Sequence, residues 1–182
     1  MLKRTNEKGH TMLEIILILG FLGAMSVSIA SLVTSMYDKY RLSRIGQQVE
    51  ELKKVINNRY VADGNYKKLS VSSLISERVA PKDMIQGEDA LHHVFRGEVR
   101  LAGGEETFDI RFMSLPYKAC LELAIMTWTV DNTSDLVTLK INDTVYKWPW
   151  VATGTKTLPV EMSEAAAACQ DSDENQINWE FQ

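Results

Sequence analysis

Residues 9–23 read GHTMLEIILILGFLG: a glycine, then one carboxylate, Glu14, at the head of an apolar run that carries no further charge as far as Met36. Ile15 to Met36 is 22 residues long. As a helix it would extend roughly 33 Å, enough for the hydrocarbon core of a bilayer. Lys3, Arg4 and Lys8 precede it, which predicts a short cytoplasmic tail and an exported chain after Tyr37. A secretory signal peptide would share the basic start and the apolar run, with a small-residue cleavage site within AMSVSIAS (24–31). The carboxylate at the head of the run, and the length of the run, speak against that reading.

The adjoining segment speaks against it more strongly. YDKYRLSRIGQQVEELKKVINNRYVADG (37–64) keeps a helical register, with Leu42, Ile45, Val49, Leu52, Ile56 and Tyr60 three or four residues apart and no proline before Pro81. Membrane and amphipathic segments therefore read as one helix from about Met12 to Ala62, roughly 75 Å long and ended by Asp63-Gly64. Its outer half pairs an apolar stripe with a charged face of Lys39, Arg41, Arg44, Glu50 and Lys53. About three heptads beside strand-like runs point to a helix laid on its own sheet rather than to a coiled coil.

Composition fits one domain plus an accessory element: 182 residues, 45% apolar, 24% charged, net charge −4. No basic run of the kind that tracks a phosphate backbone is present, so nucleic acid is not an expected partner. The remainder from Asn65 to Gln182 reads as an α+β head. KKLSVSSLISERVAPKDMI (67–85) suggests short helical turns and loop. Gly97–Leu101 and Thr107–Ser114 form a hairpin around Gly103-Gly104, and a helix opens at Pro116 in PYKACLELAIMTW. Leu136–Ile141 and Thr144–Trp148 form a second hairpin around Asn142-Asp143. A last helix, Pro159–Cys169, precedes a closing strand, NQINWEF (175–181), in which Ile177, Trp179 and Phe181 alternate with polar residues.

Cys120 and Cys169 both fall on the exported side, where an oxidising compartment favours their pairing. A metal site or a thiol nucleophile would need partners that His10, His92 and His93 do not supply, and neither cysteine belongs to a CxxC. His92-His93 points in two directions and reads as surface loop. DSDENQ (171–176) starts like a calcium loop but lacks the turn glycine, and Gln182 stands where the bidentate glutamate belongs, so it reads as solvated loop. No GxSxG, P-loop or GxGxxG occurs. No enzyme, metal or cofactor is expected. Trp148 and Trp150, around Pro149, read as core in preference to a subunit contact.

KGHTMLE (8–14) followed by an apolar helix resembles the class III signal of type IV pilins: a basic leader ending in glycine, cleavage directly after it, and a glutamate fifth in the mature chain. With His10 counted first, Glu14 is fifth, Gly20 eleventh and Gly23 fourteenth, a pattern that resembles the type IVb branch. YKACLELA (117–124) and EAAAACQDSDENQINWEF (164–181) are similar to the two cysteine-bearing segments which that branch joins by a disulfide. Two departures are a histidine at position 10, where these pilins usually carry methionine, leucine or phenylalanine, and a leader of nine residues, shorter than most.

The resemblance implies a pilin fold, with a long N-terminal helix packed on an antiparallel sheet and a C-terminal disulfide-bonded region. It divides the chain into a leader (1–9), the transmembrane and assembly half of the helix (10–36), its amphipathic half (37–64) and a globular head (65–182). A prepilin peptidase would cut between Gly9 and His10 and methylate the new amine of His10. An assembly ATPase and platform protein would then draw subunits from the inner membrane into a helical homopolymer, using Glu14, Gly20 and Gly23 in the contacts. The product would be an extracellular filament for adhesion, aggregation or colonisation. Loss of Lys3, Arg4, Glu7 and Lys8 removes a net charge of +2 and leaves the mature chain at −6. Two alternatives share some of these features: a minor pilin or type II secretion pseudopilin, and a bitopic sensor or tethered binding domain that keeps its N-terminus.

Overall fold

The computed structural model describes residues 12–128, 135–149 and 156–182, with the backbone alone at 24–32. The chain forms two compact units, Met1–Tyr40 and Arg41–Gln182. One helix, α1 (Met12–Tyr60), supplies residues to both. Within the first unit the large apolar side chains that are described are exposed; Met12, Ile16, Leu17, Leu19 and Phe21 lie between 63% and 83% exposure. Tyr37 and Tyr40 stack with ring centroids 6.5 Å apart.

The second unit is built on one sheet. Its strands are β1 (Ile85–Gln86), β2 (Ala90–His92), β3 (Glu98–Gly103), β4 (Phe108–Leu115), β5 (Leu136–Ile141), β6 (Thr144–Lys147), β7 (Lys156–Thr157) and β8 (Asn175–Phe181). Their order is β1-β2-β3-β4-β8-β5-β6-β7, antiparallel throughout except for β6 with β7. The helices are α2 (Val71–Ser76), α3 (Tyr117–Ile125) and α4 (Met162–Ala168).

The period-2 runs place Phe108, Ile110 and Phe112 of β4, and Ile177, Trp179 and Phe181 of β8, on one face, all fully buried. Ile45, Val49, Leu52, Ile56 and Tyr60 of α1 are buried in the same core, as the helical stripe predicts. Each such side chain contributes roughly 1.5–3 kcal/mol of transfer free energy. Trp128, just past α3, adds edge-on contacts to Trp179 at 5.3 Å and Phe181 at 6.3 Å. Both hairpins and the closing strand occur where the alternation places them.

Polar contacts fix α1 over this core. Gln48 accepts a hydrogen bond from the Val94 amide at 2.9 Å and donates to Asp83 at 3.0 Å. Arg44 donates to both Asp83 (2.9 Å) and Glu51 (2.6 Å). Burial alone would raise the Asp83 carboxyl, but the bonds from Arg44 and Gln48 hold it below the usual carboxylate range. The Lys53 ammonium, almost wholly buried, lies 3.5 Å from Glu50, 3.8 Å from Asp135 and 5.3 Å from the Phe181 ring centroid.

The segment expected to be short helical turns and loop holds the six-residue helix α2. Ser70 and Ser73 form a reciprocal cap that starts α2. The strands β1, β2 and β7 are two or three residues long, too short to carry a period, and exist through their neighbours' hydrogen bonds. The helix expected from Pro159 begins at Met162. Of the tryptophan pair, Trp148 is half-buried and its Nε1–H donates to the Leu136 carbonyl at 2.7 Å, whereas Trp150 lies outside the described residues.

His93 corrects the surface-loop expectation. It is 2% exposed, its ring packs 5.2 Å from Phe112, and both ring nitrogens are bonded. The Phe95 amide donates to Nδ1 at 3.1 Å, which leaves Nε2–H to donate to the Met113 carbonyl at 2.7 Å. A Cβ on Gly97 would lie 1.9 Å from that carbonyl and 2.3 Å from Nε2, so glycine there makes room for the imidazole. The local sequence around His92-His93 has no period that would mark this pocket.

Burial, with the charges of His92 and Arg41 adding to it and the Met113 bond opposing it, lowers the His93 pKa from 6.5 to about 4. The unfolded chain therefore takes up a proton at a pH where the folded chain does not. Stability is intact above pH 6.5 and falls as pH drops towards 4, by about 3 kcal/mol for this gap. Urea midpoints measured from pH 7 to pH 4 should show that decline, and His93→Gln should remove most of it. Gly97→Ala should unfold at a lower urea concentration than the parent at any of these pH values.

Candidate functional site

Two regions carry the residues singled out from the sequence. The first is the start of α1. Gly9 and His10 lie outside the described residues. Glu14 is in the first turn of α1 and exposed, where the aligned peptide dipoles favour an anion. Gly20 and Gly23 are three residues apart on one side of the helix, and a Cβ added at either would meet nothing within 4 Å. Neither glycine is needed by the fold of its own chain. Among the described residues no helix is long and apolar enough to cross a membrane. The span expected at Ile15–Met36 includes residues 24–32, whose side chains lie outside the described set.

The second region is the cysteine clamp. Cys120 of α3 and Cys169, which directly follows α4, are joined by a disulfide with 6.0 Å between Cα atoms and 49 residues of sequence separation. Pro116 at the N-cap ends β4 and sets the helix that carries Cys120. The bridge closes β5, β6, β7 and α4 into one loop.

Sequence reasoning missed the residue that holds the far end of that loop. Asn175, wholly buried, begins β8, where the closing strand read from NQINWEF places it; its side-chain role is what the sequence did not show. Its Nδ2 donates to the carbonyls of Leu115, Gln170 and Ser172 at 3.2, 2.9 and 2.9 Å. Its Oδ1 accepts from the Gln170 amide at 2.6 Å and from Asn142 Nδ2 at 2.9 Å. Asn142, at φ 51° in the β5–β6 turn, also donates to Ala168 and accepts from the Gln176 amide. One amide pair thus ties the cysteine loop, the end of β4 and the second hairpin together. Asn142-Asp143 was legible as a turn; nothing in one sequence marks Asn175 as its partner.

The chemistry available here is structural. Among the described residues no group of three or more His, Cys, Asp or Glu side chains is placed to hold a metal ion.

Comparison with known proteins then gives the fold a class. The solved type IVb pilin from Salmonella typhi superposes with a TM-score of 0.52 at 18% identity, covering 75% of this chain and 96% of that one. TcpA, a type IV pilin from the El Tor biotype of Vibrio cholerae, gives 0.52 at 11% identity, covering 79% and 99%. The fold is that of a type IV pilin. The model of the PilS N-terminal family matches residues 40–181, and the chain belongs to that family. The toxin coregulated pilin of Vibrio cholerae serotype O1 is 28% identical over 64 residues, a match spanning 35% of this chain and 29% of the relative.

Replacing Cys120 or Cys169 by serine should lower stability by up to about 4 kcal/mol, the loop-closure value for this separation. Asn175→Ala leaves three carbonyls and an amide without their partner and should cost about 2–4 kcal/mol with the disulfide intact. Denaturant unfolding with a thiol titration separates the two losses. A double serine variant as resistant to periplasmic proteolysis as the parent would make the clamp dispensable.

Proposed function

We propose that this chain is the non-catalytic structural subunit of a type IVb pilus, made as an inner-membrane prepilin and polymerised into an extracellular filament. The observation that carries the reading is the exposed apolar helix of the first unit with one carboxylate in its first turn. A contiguous apolar surface of this kind needs lipid before assembly and other subunits after it. Family membership and the pilin fold support the same reading.

In this proposal a peptidase removes residues 1–9, and His10 supplies the new amine. Residues 10–36 are the assembly half of the helix, 37–64 its amphipathic half, and 65–182 the head. Glu14 is tolerated in the membrane because it lies near an end, where a charge costs less than the roughly 3 kcal/mol of the bilayer centre. In the filament it meets the amine of a neighbouring subunit. An uncleaved leader offers no such amine, so processing licenses assembly. Gly20 and Gly23, unneeded by their own chain, allow close approach of a second helix.

Glu14→Gln should be inserted and cleaved like the parent yet enter filaments at a tenth or less of its level. Electron microscopy of sheared material beside a cleavage assay checks this, and undiminished pilus yield would rule the pairing out. Intact mass of the membrane form tests the larger claim: a retained MLKRTNEKG leader excludes a pilin. A sheared preparation in which this chain is a trace component would make it a minor pilin instead.

A further inference from the structure

The face of the sheet turned away from the aromatic core carries a cross-strand row of different character. Register places Arg100, Arg111, Asn178, Lys140 and Val145 side by side on β3, β4, β8, β5 and β6. Three of these five are cations, in a chain whose net charge is −4. Arg100 is committed to Glu98 through two bonds of 2.9 Å. Arg111 and Lys140 are exposed and have no ion pair or hydrogen bond among the described residues. They flank Asn178 across two strand spacings, roughly 10 Å.

Arg111, Lys140, Asn142, Gln176 and Asn178 line a small polar concavity of about 50 Å³. Asn178 is oriented by its neighbour: its Nδ2 donates to Asp109 Oδ1 at 2.7 Å. That bond leaves Asn178 Oδ1 buried without a donor among the described residues. The Gln176 side-chain amide likewise makes no bond there. Two carboxylates stand in the next row, each accepting one hydrogen bond from a neutral donor: Asp109 from Asn178, and Glu180 from the Thr107 hydroxyl at 3.3 Å. The concavity thus offers two unspent cations, one free amide and one buried acceptor that lacks a proton.

A ligand that satisfies all of these must bring an anion for the cations and a hydroxyl proton for Asn178 Oδ1. A fully deprotonated oxyanion such as acetate or sulfate has the first and not the second, and a neutral sugar has the second and not the first. Hydrogen phosphate has both, and should bind at least tenfold more weakly than glucuronate in the titration below. The geometry points to a recognition site for a hydroxylated carboxylate, the group that a uronic acid presents. The volume seats one carboxylate with an adjacent hydroxyl and leaves the rest of the ligand outside the sheet. An acidic polysaccharide and a free hydroxy acid both carry this group.

The test is a titration of the full-length chain in detergent micelles, followed through the NMR signals of the Asn178 and Gln176 side-chain amides. Sodium glucuronate should shift both with a saturable curve. Glucose and acetate should bind at least tenfold more weakly. Arg111→Gln and Lys140→Gln change side chains on the solvent face, so backbone amide spectra should overlay on the parent, and each should weaken glucuronate at least tenfold. A hyaluronan octasaccharide that binds more tightly than free glucuronate assigns the site to a polysaccharide; equal affinity assigns it to the free acid. No saturable shift, acetate as strong as glucuronate, or unchanged affinity in both variants would overturn the site. Filament yield from these variants should match the parent whatever the titration gives, so this result and the subunit reading stand or fall separately.

Discussion

The sheet of the Arg41–Gln182 unit consists of two blocks, β1 to β4 and β5 to β7, and β8 alone hydrogen-bonds to both. The last strand of this sheet in chain order is therefore the one that completes the core. Its inner residues, Ile177, Trp179 and Phe181, are fully buried between the two blocks, and Trp179 receives Phe112 and Trp128 on its edges. Without β8 each block would keep its own pairing but expose an unpaired edge and half of an aromatic face. The disulfide at Cys169, six residues before this strand, and the side-chain amide of Asn175, its first residue, fix where it starts. They act on register: a slip of one residue would turn the three aromatic and aliphatic side chains to solvent.

The helix α1 meets two different environments along one continuous element. From Ile45 onward its apolar residues recur at three and four and disappear into the core of the head. Before Tyr40 they occur at most positions, and the large ones described, from Met12 to Leu22 and from Val33 to Tyr37, are exposed within their unit. The change of pattern, from apolar at most positions to apolar on one stripe, marks the change of solvent that the pilin proposal requires: lipid and other subunits for the first part, its own sheet for the second. The same logic explains why both glycines of the first part are free of contacts, whereas Gly97 and Gly103 of the head are crowded by backbone carbonyls at 1.9 and 1.8 Å from an added Cβ.

The legible parts are those whose interacting residues lie close together in the chain. The α1 stripe, both hairpins and β8 were readable because each is a periodic run of local sequence, and a period announces both the element and its buried face. Glu14, Gly20 and Gly23 were picked out through the resemblance to a pilin signal, by their spacing from Gly9. His93 was misread because its neighbours gave no period, and its partners, Phe95, Gly97 and Met113, come together only when β4 folds beside β3. The role of Asn175 was hidden because two of its five hydrogen bonds reach Leu115 and Asn142, 60 and 33 residues away.

By itself, the sequence determined the class of elements, the apolar character of the first helix, the pairing chemistry of the two cysteines and the α+β plan, because each rests on side-chain type and local spacing. Tertiary structure alone decided the position of β8 between β4 and β5, the burial of His93 and Lys53, and the alignment of Arg111, Asn178 and Lys140 into one row. These depend on strand order and register, which arise when distant segments compete to bury the same apolar faces and to satisfy the same backbone hydrogen bonds. No local window of residues contains that competition.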